Sequence, residues 1–83
     1  MSDRRTLIIG KYHELKQDLR QKSLSAMAFR QRLAEEIDPL LKDFERIDFE
    51  KVLSYAETLK SLQEDILQLK ERMDAIDDEY NIE

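Results

Sequence analysis

The groups able to do acid–base or metal chemistry are one imidazole and a crowd of carboxylates. His13 is the sole histidine, and there is no cysteine among the 83 residues. An imidazole can act as a general base or a metal ligand near neutral pH, but each role needs partners at set spacings. A zinc site takes three or four His, Cys or carboxylate ligands. The di-iron bundle signature takes an acid three residues before a histidine on each of two helices. No acid precedes His13 at that distance; Glu14 is its neighbour, and Gln17 lies one helical turn on. Glu35-Glu36 and Asp77-Asp78 are adjacent in sequence, so each pair diverges on a helix and makes a poor two-carboxylate catalytic site. The alternating acids and central glycine of a calcium loop are absent, as are the phosphate loop, nucleophile elbow and dinucleotide fingerprint. The expectation is a non-enzyme with no catalytic residue, no metal and no cofactor, and with His13 on a helix surface.

The elements that would have to position any site are helical. One glycine, Gly10, and one proline, Pro39, leave too few turn residues for β-hairpins. At 83 residues there is room for a single helical domain, 1–83, which buries only about 60% of its unfolded-chain surface. Such a core is marginal unless the chain oligomerises. The lack of cysteine rules out a disulfide framework and fits a reducing compartment, so a cytoplasmic location is expected. The longest apolar run is Leu7-Ile8-Ile9, far short of the roughly 20 residues of a membrane helix. No h-region or cleavage site follows Arg4 and Arg5, so neither a signal peptide nor a membrane partner is expected.

The strongest periodicity lies in the last third. Val52, Tyr55, Leu59, Leu62, Ile66, Leu69, Met73, Ile76 and Tyr80 follow one another by alternating steps of three and four, the a/d pattern of a coiled coil. Asp48 is its natural N-cap, with Ile47 and Val52 at the hydrophobic-staple positions. A helix at about 49–80 follows, on the order of 48 Å long. In the middle, Ser25 is a candidate N-cap, and Ala26, Phe29, Leu33, Ile37, Leu40, Phe44 and Ile47 are the apolar set. The step from Leu33 to Ile37 interrupts the heptad beside Pro39, predicting a kink or break near 37–39, with Asp38 able to cap a fresh helix. The first segment, about 4–22, carries Ile8, Tyr12, Leu15 and Leu19.

The join at 22–25 admits two readings. Carried on, the heptad puts Lys22 on a core position and makes one helix from 4 to 37. Two serines and the high cost of a core lysine favour a turn instead. The fold expected is all-α: an antiparallel helical hairpin bending near 46–48, or a three-helix bundle of about 4–22, 26–45 and 49–80 with a long C-terminal coiled-coil helix. In the three-helix case Met73, Ile76 and Tyr80 overhang the shorter helices and expose an apolar stripe.

The net charge of −5 is unevenly spread. Residues 1–34 carry eight bases against three acids, and residues 35–83 six bases against sixteen acids. Glu50, Glu57, Glu64, Glu71 and Asp78 recur every seventh residue opposite the seam, either a solvated outer face or a docking stripe for a basic partner. A parallel in-register dimer would match Asp65 with Lys70 and Arg72 with Asp77 across the seam. Five acids and no base after Met73 oppose the helix macrodipole, so the end at about 78–83 should fray, with Tyr80 and Ile82 as a possible linear motif.

These features point to a non-enzymatic protein–protein interaction module acting through a heptad seam, a self-associating scaffold or adaptor subunit. Its partners would be a second copy, most simply as a homodimer, or another protein. The interface residues are Leu59, Leu62, Ile66, Leu69, Met73, Ile76 and Tyr80, with Phe29, Leu33 and Phe44 opposite, and the candidate docking stripe is Glu57, Glu64, Glu71 and Asp78. Leu69→Asp is expected to dissociate the oligomer while leaving much helicity. Two alternatives stand beside this reading. One is a small acidic inhibitor or adaptor that docks as a monomer. The other is a nucleic-acid-binding dimer using the basic first half with Tyr12 as a stacking ring, disfavoured by a pI near 4.9.

Overall fold

The first helix does not stop at the paired serines. In the computed structural model, which describes residues 2–80 and side chains from Arg4 onward, α1 runs unbroken over Ser2–Ile37, 36 residues. A 3-10 turn follows at Phe44–Arg46, and α2 covers Phe49–Tyr80. The described residues are all-helical apart from the connection at 38–48 and hold no strand.

The expected turn at 22–25 is therefore corrected, since α1 passes through it unbroken, and Lys22 supplies the reason. Its stem is half-buried at the seam, and its ammonium reaches Asp65 on α2 at 3.4 Å. A lysine in a closed core would be costly. At an open seam edge the stem covers apolar surface while the charge finds water and a carboxylate. Ser23 and Ser25, flanked by Leu24, Ala26, Met27 and Ala28, are too few to outweigh those helix formers.

Pro39 does end α1, but no helix restarts after it. The Asp38 carboxylate accepts from the Leu40 N–H at 2.9 Å, and its carbonyl accepts from Leu41 and Lys42 at 3.1 and 3.0 Å. The capping chemistry expected of Asp38 closes a turn rather than a helix start. The helix expected at 26–45 thus ends at Ile37, and Phe44, expected opposite the seam, stands 74% exposed in the connection. At α2 the capping expectation holds. Asp48 Oδ1 accepts from the Lys51 N–H at 3.2 Å, and the Asp48 carbonyl takes the first helical bond, from Val52, at 3.1 Å.

α1 and α2 lie side by side in opposite directions. Glu36 meets Asp48, Phe29 meets Tyr55 with ring centroids 6.0 Å apart, and Lys22 meets Asp65. Residue n of α1 thus stands level with a residue near 85 − n of α2. The molecule is a rod, 64 × 16 × 15 Å with a radius of gyration of 18.4 Å, where a compact chain of this length would have about 12 Å. The buried apolar residues are Tyr12, Leu15 and Leu69, each 6% exposed. All three lie in the half of the rod remote from the connection. Because α1 is as long as α2, no stretch of α2 overhangs, and Met73 sits beside Tyr12 rather than beyond its neighbour. Asp78, Glu79 and Tyr80, where fraying was expected to begin, are helical, and Ile82 lies outside the described residues.

Gly10 sits inside α1 with nothing within 4 Å of where a Cβ would stand. Gly10→Ala should therefore raise stability by about 0.5–1 kcal/mol, read as a higher urea midpoint. An unchanged or lower midpoint would mean that this turn of α1 is not held as a helix in solution.

Candidate interaction surface

The seam is built from both helices. On α1 the series Ile8, Tyr12, Leu15, Leu19, Lys22, Ala26, Phe29, Leu33 and Glu36 keeps the three–four alternation without a break. The seam position after Leu33 is Glu36, not Ile37. On α2, Leu69 is buried, and Leu59, Leu62, Ile66, Met73, Ile76 and Tyr80 are half-buried. All seven predicted interface residues thus lie on one helix seam, and that seam faces α1 of the same chain. Glu57, Glu64, Glu71 and Asp78 are all exposed, on the side of α2 turned away from α1.

Glu36 is the functional-looking residue that periodicity missed. It is 7% exposed and is the buried charged residue among those described. Its carboxylate accepts from the Lys42 ammonium and, at 3.4 Å, from the backbone N–H of Asp48. One side chain thereby ties the last turn of α1 to the connection and to the N-cap of α2. The Lys42 hydrogen bond holds the Glu36 carboxyl below its ordinary pKa against the opposing effect of burial, helped by the Asp48 N–H and the positive charges of Lys42 and Lys51. The unfolded chain keeps the ordinary value, so the stabilisation is fully present above the usual carboxylate range. It is lost as pH falls through the lowered folded value. Glu36→Gln should lower the urea midpoint at neutral pH, and the gap from wild type should close towards acid. A gap independent of pH would show that the carboxylate charge is not what holds the connection.

Braced in this way, the connection displays apolar side chains. Leu40 is 91% exposed, Leu41 and Phe44 are exposed as well, and the Phe44 and Phe49 rings pack edge to face at 5.9 Å. The two flanks of the rod differ. One carries the polar trough lined by Asp18, Lys22, Asp65, Gln68 and Arg72, with Leu69 at its base. The other opens a shallow groove whose floor is Leu59 and Ile66, edged by Arg30, Ala56, Lys60 and Leu67.

His13 is exposed on α1 with its ring edge-on to Tyr12 at 6.0 Å, beside Lys16 and Arg20. Among the described residues no group of three or more His, Cys, Asp or Glu side chains is placed to hold a metal ion. No described helix is long and apolar enough to cross a membrane. Comparison with protein-family models, with curated proteins and with solved structures finds no match.

Proposed function

We propose that this chain is a non-enzymatic protein–protein interaction module: a coiled-coil helical hairpin that self-associates and serves as a scaffold or adaptor subunit. The observation that carries this reading is the imbalance of apolar surface. Three large apolar residues are buried among those described, while ten are exposed, five of them within 37–49. Isolated exposed apolar residues are ordinary, but such a cluster in and around one short connection is the kind of surface that another protein covers. Two helices alone cannot enclose the wide apolar stripes they carry, whereas a four-helix bundle can.

The test is molar mass by light scattering after size exclusion, over a range of concentrations. Twice the 9.9 kDa chain mass, or more, supports self-association. A monomer at every concentration overturns it and leaves monomeric docking on a larger protein.

A further inference from the structure

Which surface two copies would share is decided by the difference between the flanks. In heptad terms, with Tyr12 and Val52 at position a, the groove-bearing flank is formed by the b and e positions of both helices. That flank holds Met27 and Ile37 of α1 and Phe49, Leu53 and Leu67 of α2, half of the exposed large apolar residues. The opposite flank, at c and g, carries mainly polar residues such as Asp18, Ser54, Thr58, Ser61, Gln68 and Arg72. The exposed apolar residues of the b/e flank lie mostly level with the connection half of the rod. The buried core lies in the other half. The surface in want of cover is thus where the intrachain core is thinnest.

Charge selects the occupant and its orientation. On this flank α1 presents Lys16, Arg20 and Arg30 and no acid, while α2 presents Lys60 and Lys70 against Asp74 and Asp77, with Glu50, Glu57, Glu64, Glu71 and Asp78 along its outer edge. Two rods stacked flank to flank about a two-fold axis have two options. An axis across the rod sets α1 on α1 and α2 on α2, so that the bases of α1 meet bases. An axis along the rod sets α1 of each copy on α2 of the other, so that the bases of α1 meet the acidic edge of α2; neighbouring helices are antiparallel with either axis. In the second option Arg20, at the outer edge of the flank, stands level with residue 65 of the facing helix, where Glu64 edges the flank.

Resting on the self-association reading above, we propose that this b/e flank is the site of a second copy of the chain. The dimer is a four-helix bundle with α1 of each copy against α2 of the other and both connections at the same end. The acidic stripe then has a use: Glu57 and Glu64 edge the interface and receive bases of the second copy's α1.

The native chain has no cysteine, so one spin label can be placed at Glu45→Cys in the exposed connection and the distance between copies measured by pulsed electron resonance. Connections at the same end predict no more than about 30 Å, given helix axes about 10 Å apart and two labels. The α1-on-α1 alternative puts the labels at opposite ends, approaching the 64 Å length of the rod. Sedimentation equilibrium gives the second arm. Leu53→Asp with Leu67→Asp should weaken the dimer at least about 100-fold at unchanged helicity, since both side chains are already exposed. Arg20→Glu should weaken it about tenfold, and Glu64→Arg added to it should restore most of the loss. A monomeric wild type overturns both the self-association reading and this arrangement. A dimer with the long distance, or one indifferent to Asp at 53 and 67, leaves self-association standing and overturns the arrangement.

Discussion

Leu69→Asp should remove most of the stability of the isolated chain, with loss of ellipticity as well as of any association. The side chain is 6% exposed between the two helices. Its replacement forfeits about 2–3 kcal/mol of apolar burial and puts a carboxylate into the seam, at the wall of the trough that Leu69 shares with Asp18 and Asp65 as well as Lys22 and Arg72. Domains of this size have total stabilities of roughly 5–10 kcal/mol, so a loss of about 4 kcal/mol or more drives the urea midpoint towards zero. From periodicity alone the same substitution was expected to separate copies and spare the helices. The structure places Leu69 inside the chain, so folding and association fall together. Leu69→Met, which nearly conserves volume, should cost under about 1.5 kcal/mol. A Leu69→Asp chain with a near-native midpoint would show that α1 does not cover this residue in solution.

Tyr12→Ala should cost about 3 kcal/mol, by loss of a buried ring beside Met73 and Leu19. Its effect should also be local. Tyr12, Leu15 and Leu69 together form the buried core of the end remote from the connection. Amide exchange should therefore rise before Leu19 and after Leu69 while the turns around Phe29 and Tyr55 keep their protection. Uniform loss of protection along the rod would show that the two halves unfold as a single unit and that the core is not confined to one end.

Much of this architecture is legible in the residues. α2 was readable from cap to end because its seam is apolar at every position from Val52 to Tyr80 and Asp48 is an ideal N-cap. The stop at Ile37 was readable because a proline cannot donate a backbone hydrogen bond. α1 was harder because two of its seam positions, Lys22 and Glu36, are charged. Apolar counting passes over both, and so reads a turn at the first and shifts the seam to Ile37 at the second. What rescues each is a partner distant in sequence, Asp65 for Lys22 and Lys42 with the Asp48 backbone for Glu36. A pattern read one helix at a time holds no information about those partners. The signal the residues carry is an unbroken heptad that tolerates two charges, masked by the cost of charge in a closed seam. The acidic stripe was fully legible and remains exposed, whereas the one-sidedness of the rod needed both helices in register to be seen.

The antiparallel register has a kinetic consequence. Glu36 meets Asp48 across 12 residues, but Lys22 meets Asp65 across 43. Every pair farther from the connection closes a longer loop, at an entropic cost that rises with the logarithm of its length. Contacts near the connection can therefore form before those beyond them, and each pair shortens the effective loop for the next. The chain should fold as a zipper started at Asp38 and Pro39. Substitutions near that turn would then set how quickly it folds, and those around Tyr12 how long it stays folded.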